Sequence, residues 1–366
     1  MVMAGESHHG ASVILPDPRP SPPRERLAGL DLLRALAITL VVLWHFPLAV
    51  FPFHWRPATW AGVDLFFVLS GYLIGTQLLR PFAEQRRPSI RDFFLRRMFR
   101  VLPAYGVVLA IYFLVPGFRE WPVLAPLWRF LTFTLNFGLD ASKTGAFSHA
   151  WSLCVEEQFY IAWFFAAFLA PWKALRSALI VMIVLAVAFR FLVLALGYGM
   201  AVYLLPGCMD ALAIGALLYL AEQRQWSMPE GSWMVALACL LASFIAAAGW
   251  NANSAISGAL HPLFIALAGG WALWQARSGF GGLAGRVLSW RPVTHFGEVS
   301  YGIYLYHILT GEIFRHLPVV WRLAKGGWPM FCVNVLITWT IAAVSYRFME
   351  RPLLDWRPSG RRLSRI

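Results

Sequence analysis

Charge is what this 366-residue sequence has least of: Asp, Glu, Lys and Arg make up 13% of it, about half of the ~25% usual in soluble globular domains. Acids are the scarcer sign, 18 against 31 Lys and Arg. With 59% hydrophobic residues and a mean hydropathy of +0.61, one large or two ordinary soluble domains are excluded, and the chain reads as a polytopic membrane protein. Cysteine is sparse too. Cys154, Cys208, Cys239 and Cys332 stand in separate apolar segments without metal-ligand spacing, so no metal site is expected and they read as small buried hydrophobes. The polar, Pro-rich stretch 1–28 has no apolar core before Leu27, so no cleavable secretory signal is expected. Its adjacent His8 and His9 read as part of a solvated tail. No internal repeat and no appended soluble catalytic domain is visible.

What is there is a series of apolar runs near 20 residues long, the length that crosses a bilayer. They fall at about 30–50, 62–80, 101–118, 151–171, 177–197, 201–221, 233–250, 258–276, 297–316 and 329–348. The expected fold is all-α, a polytopic bundle of about ten transmembrane helices with both termini cytoplasmic. A tail (1–28) would precede the membrane domain (29–353), and a basic tail (354–366) would follow it. The stretch 122–139 is also apolar but carries Arg129 and Asn136, so it reads as re-entrant or interfacial. The net charge of +13 would suggest a nucleic-acid partner in a soluble protein. Here topology accounts for it, because Lys and Arg collect in loops on one side, with seven arginines from Arg80 to Arg100 and six from Arg347 to Arg365, as the positive-inside rule requires. No nucleic acid is expected, and membrane lipids are.

The run Leu30 to Val50 carries Arg34 near its start and His45 deep inside it. Eleven residues at about 100° each return them to nearly one helix face, roughly 16 Å apart along the axis. An ionisable group inside a span is costly and marks a functional site by default. Arg34 alone could be an interfacial anchor, and His45 alone an interhelical hydrogen-bond partner.

Further along, small residues at Ser70, Gly71 and Gly75 allow close approach of a backbone or a narrow substrate, and Asp64 stands near the outer end of the same run. Arg96, Arg97 and Arg100, interleaved with aromatics, form a basic patch before the third run. Guanidinium forks match phosphate oxygens, although such arginines also bind lipid headgroups. In the fourth run Ser152, Glu156 and Tyr160 recur every four residues and share a face, with Glu157 beside them. Two acids in an apolar helix either pair with cations such as Arg34 or Arg190 or do acid–base work. Arg190 and Asp210 read as members of the same buried polar network. Ser300, Tyr304 and His307 fall on one face of the ninth run.

In this order the stretches resemble the acyltransferase 3 family of integral-membrane acyltransferases. The resemblance covers about residues 28 to 353 and rests on the Arg34-x10-His45 helix, GVDLFFVLSGYLI, FFLRRMFRVLPAY, WSLCVEEQFY, the Asp210–Gly215 stretch, VSYGIYLYH and MERP. It implies a ten-helix enzyme of the plasma membrane, the inner membrane in bacteria, that takes an acyl group from cytoplasmic acyl-CoA, in the first instance acetyl-CoA, and delivers it to a hydroxyl of a carbohydrate or lipid-linked acceptor. No bound cofactor or metal is implied. The family's essential histidine falls on His45, its paired arginine on Arg34, and its basic cluster, which would hold the CoA phosphates, on Arg96, Arg97 and Arg100. Glu156 or Glu157 would orient or charge-balance His45. Asp64, Ser70, Gly71, Ser152, Tyr160, Asp210, Ser300, Tyr304 and His307 are the expected substrate-lining set. Many relatives carry an arginine shortly before the acid of span six, where Cys208 stands here, and Arg190 is the candidate to replace it. Some relatives carry a C-terminal SGNH esterase-like domain, and the sequence ends at Ile366 without one. The expectation is therefore transfer completed by the membrane domain or a separate partner. A secondary transporter using the buried charges is the competing class, and oligomeric state is open.

Overall fold

Residues 24–46, 60–83, 89–140, 145–169, 171–248, 255–279, 285–286, 288–313 and 328–355 are described in a computed structural model. The expected tails, 1–28 and 354–366, lie largely outside them. Among the described residues the chain is helical, and its one extended contact is an isolated bridge between Leu124 and Ala146. The helices are α1 (Arg24–His45), α2 (Ala61–Ala83), α3 (Ile90–Leu114), a short α4 (Leu127–Leu131), α5 (Trp151–Leu169), α6 (Trp172–Ala195) and α7 (Leu205–Gln223). They continue with α8 (Ser232–Ala248), α9 (Ala255–Ala276), α10 (Arg291–Glu298), α11 (Ser300–Ile313), α12 (Trp328–Ser345) and, after a π-turn at Tyr346–Glu350, α13 (Arg351–Asp355). Eight helices among the described residues are long and apolar enough to cross a membrane. This is a polytopic all-α membrane bundle.

The two remaining expected spans are covered only in part, because 249–250 and 314–316 lie outside the described residues. α8 has 17 residues. The ninth run is interrupted at Val299, between α10, which opens with Pro292 just inside its start, and α11, described as far as Ile313. A Cβ on Gly297 would collide with the carbonyl of Asp31, so α10 lies directly against α1. The expected span 101–118 begins earlier and ends sooner, as the helix Ile90–Leu114. Ser89 caps α3 by accepting from the Asp92 amide at 3.2 Å, so Arg96, Arg97 and Arg100 belong to the helix itself. Within the stretch 122–139 the only helix is the five-residue α4, far too short to cross. Asn136 is buried, and Gln158 of α5 donates to the Phe133 carbonyl at 2.7 Å and to Asn136 Oδ1 at 2.8 Å, while Trp121 and Trp128 stay exposed, as interfacial tryptophans do.

Two apolar cores flank α5. One gathers residues such as Phe67, Val68, Leu179, Leu212 and Ala266 from α2, α6, α7 and α9. The other gathers Ile38, Val41, Tyr105, Tyr112, Phe147 and Leu305 from α1, α3, α11 and the loop before α5. The first is closed by glycine: a Cβ on Gly71 would strike the Leu212 carbonyl, and one on Gly215 the Val68 carbonyl, so α2 and α7 touch backbone to backbone. Cys154, Cys208 and Cys239 are buried, as expected of small hydrophobes, but Cys332 is exposed on α12.

Candidate active site

Between the two cores lies a cavity of about 110 Å³, walled by α1, α2, α3, α5 and α11. At one end stand Arg34, Arg97 and Arg100. Tyr160 lies under Arg97 at that end, Ser152 and Tyr304 meet one another further along α5, and Ser70, Glu156 and Ser300 complete the polar lining. The expected i, i+4 face of α5 is therefore the face that looks into the cavity.

Each acid of that face has its own partners. Glu156 accepts from Ser70 Oγ at 2.9 Å and from Tyr160 Oη at 3.1 Å. Glu157 accepts from Arg97 Nη2 at 3.2 Å, and the Arg97 guanidinium lies 3.4 Å from the centre of the Tyr160 ring, a stacked cation–π contact. Arg34 donates to Asp31, one turn earlier on α1. The pairing of the α5 acids with Arg34 or Arg190 does not occur; Arg97 takes that role. Arg100 is exposed and has no ion-pair partner among the described residues.

His45 is the last residue of α1, so it closes that span instead of sitting at its middle. Its Nδ1 lies 2.9 Å from the Val41 carbonyl and 3.2 Å from His307 Nε2. His307 is fully buried on α11, and its Nδ1 lies 2.6 Å from the Tyr304 carbonyl. A third imidazole joins them. His149 has its ring 5.1 Å from that of His307 and 6.0 Å from that of His45. Both of its buried ring nitrogens lack a hydrogen-bond partner among the described residues. Tyr304 ties this cluster to the cavity, since its hydroxyl donates to the His149 carbonyl and lies 3.0 Å from Ser152 Oγ.

The local chain is shaped to put His149 there. Phe147 adopts a left-handed conformation, φ 61°, which is costly for a bulky side chain. Its ring stacks on Tyr112 at 4.7 Å and Phe130 at 5.6 Å, and its amide donates to Glu120 at 2.8 Å. The chain then turns through Ser148–Ala150 directly into α5.

Asp64, Asp210 and Gly71 stand away from this cavity. Asp210 holds Arg190 by a bidentate pair at 2.8 and 2.6 Å, and the guanidinium also donates to the carbonyls of Gly207 and Ala259 at 2.7 and 3.0 Å. Arg190 thus comes to the acid of α7 from α6, with Cys208 alongside. Asp64 is buried and its Oδ2 has no hydrogen-bond partner among the described residues. The single polar network read from the sequence is therefore two: one around the cavity, one around Arg190.

The family model described as an acyltransferase domain matches residues 27–348. The chain belongs to the acyltransferase 3 family. Among its relatives, YrhL of Bacillus subtilis is 29% identical over 363 residues, covering 89% of this chain and 55% of that protein. The peptidoglycan O-acetyltransferase OatA of Listeria monocytogenes is 26% identical over 366 residues, covering 90% and 56%. The O-acetyltransferase OatA of Staphylococcus aureus is 23% identical, covering 89% and 57%. The chain spans little more than half the length of these curated relatives. No solved structure matches it significantly. Within this acyltransferase 3 chain, sequence reasoning passed over His149; the signal available was an imidazole placed directly before the polar face of WSLCVEEQFY.

Proposed function

We propose that this chain is a membrane O-acetyltransferase that moves an acetyl group from acetyl-CoA to a hydroxyl of an envelope carbohydrate. Peptidoglycan is the first acceptor to try, because the Listeria relative carries that name. The observation that carries the reading is the cavity itself, with guanidinium groups at one end and, beyond Tyr304 and Ser152, the imidazole cluster of His45, His149 and His307.

In this reading the CoA phosphates engage Arg100 and its neighbours, and the thioester points along the cavity. The acceptor hydroxyl gives its proton to His45, its oxygen forms a bond to the thioester carbonyl carbon, and the C–S bond breaks. The proton on His45 then passes to the departing thiolate. A neutral imidazole suits this work near pH 7. Orientation of His45 by Glu156 or Glu157 gains no support, since Ser70, Tyr160 and Arg97 engage those carboxylates. The transporter alternative gains nothing from Arg190 and Asp210, which pair with one another away from the cavity.

The test is release of CoA thiol from acetyl-CoA by the purified full chain in liposomes supplied with peptidoglycan fragments, wild type against His45→Ala. Loss of a positioned general base is expected to cost at least ~10²-fold in kcat. Equal turnover by the two would remove His45 from the chemistry and with it this reading.

A further inference from the structure

Hydrogen-bond polarity at the imidazole cluster is fixed by two backbone carbonyls, because a carbonyl oxygen can only accept. The Tyr304 carbonyl, 2.6 Å from His307 Nδ1, places the hydrogen of His307 on Nδ1. In a neutral ring Nε2 is then the acceptor. The Val41 carbonyl, 2.9 Å from His45 Nδ1, places a hydrogen on that nitrogen as well. The 3.2 Å contact between His45 Nδ1 and His307 Nε2 can then run one way only. His45 donates, sharing its hydrogen between the Val41 carbonyl and the His307 ring.

From this geometry we infer that His307 is a positioning residue for His45: its Nε2 holds the His45 ring in the Nδ1–H tautomer, which leaves Nε2 of His45 as the basic nitrogen. The inference rests on the proposed role of His45. It gives α11 the part that a buried carboxylate plays behind a catalytic histidine in hydrolase triads, with a neutral imidazole as the acceptor. The same bond favours the imidazolium that forms when His45 takes the acceptor's proton, since His307 Nε2 then faces a full positive charge. The Val41 carbonyl alone lies on the same helix, one turn before His45, and cannot fix the ring against a substrate. His307 can, because it is fully buried and is itself anchored by Tyr304.

Two His307 variants in the full chain separate this role from simple packing. Phenylalanine keeps a ring of similar shape but offers no acceptor, whereas the Gln carbonyl oxygen can accept from His45 Nδ1. His307→Phe is expected to lower kcat by at least ~10²-fold, less than the ~10⁴-fold seen when a catalytic histidine loses an orienting carboxylate, with KM for acetyl-CoA within about twofold, because transition-state interactions fall on kcat. His307→Gln is expected to recover at least tenfold of that loss. Equal kcat for the two variants, whether high or low, would overturn the inference, as would a loss that falls on KM. A readout free of activity and of variant folding is the ¹⁵N spectrum of the wild-type side chain: His45 Nδ1 should carry the hydrogen at neutral pH, and a lone-pair Nδ1 would refute the assignment. If His45→Ala abolishes transfer while His307→Phe leaves kcat unchanged, the inference fails and the proposed function stands. If His45→Ala is itself active, both fail.

Discussion

Two arginine–carboxylate pairs, one fully buried between α6 and α7 and one half-buried between α3 and α5, are built differently. Arg190 and Asp210 are each 1% exposed and meet in a bidentate fork, and the guanidinium also donates to the carbonyls of Gly207 and Ala259. Neither residue lines the cavity. Arg97 and Glu157 are 13% and 15% exposed, at 3.2 Å and 3.4 Å through one carboxylate oxygen, with Tyr160 under the guanidinium and the cavity beside it. The first pair bolts α6, α7 and α9 together. The second forms part of a wall that a ligand can touch. A buried charge in a membrane protein is thus no proof of a site, and the sign of one is unspent hydrogen-bonding capacity facing a cavity.

Breaking the first pair should cost the most stability and leave chemistry alone. Asp210→Ala strands the Arg190 guanidinium in a dry core, which costs about 3–5 kcal/mol. The expected result is a large fall in thermal stability in detergent, with kcat per folded molecule unchanged. Replacing both partners with apolar residues should recover most of that stability. A kcat loss in the double variant would move Arg190 and Asp210 into the functional network after all.

A smaller effect on the same side comes from Gly215→Ala. The added Cβ would strike the Val68 carbonyl, and separating α2 from α7 to relieve it should cost about 1–3 kcal/mol. Thermal unfolding of the variant measures it. Full wild-type stability would mean that the backbone contact between these helices is not what closes this half of the bundle.

The sequence made the all-α membrane bundle and the polar faces legible, because apolar runs near 20 residues and side chains at i, i+4 are local signals. Ser152, Glu156 and Tyr160 lie on one wall for that reason. What remained hidden depends on packing between distant segments. Arg190 joins Asp210 across two helices, Arg34 finds Asp31 on its own helix, and Gly71 serves the Leu212 backbone. The close approach of Gly297 to the Asp31 carbonyl is likewise set by packing. His149 enters the cluster only through the left-handed turn at Phe147, and no periodicity announces such a turn. His307 was singled out as part of a polar stripe, but its relation to His45 spans 262 residues.

The mildest test concerns the cavity's charged end, where the comparison can be sharpened without unfolding anything. Arg97 is engaged by Glu157 and Tyr160, whereas Arg100 lines the cavity, is exposed, and has no ion-pair partner among the described residues. If unspent donors mark the ligand, Arg100 should carry more of the phosphate binding than its neighbour. Arg100→Gln should therefore raise KM for acetyl-CoA by about tenfold, the equivalent of one charge-assisted hydrogen bond of ~1.5 kcal/mol, with kcat unchanged. Its KM should also respond less to added salt than the wild type's, because one exposed cation has been removed from the encounter. Steady-state kinetics at two ionic strengths measures both. An unchanged KM would return Arg100 to the lipid headgroups and leave the donor to be held by Arg34 and Arg97, whose carboxylate partners would have to let go first.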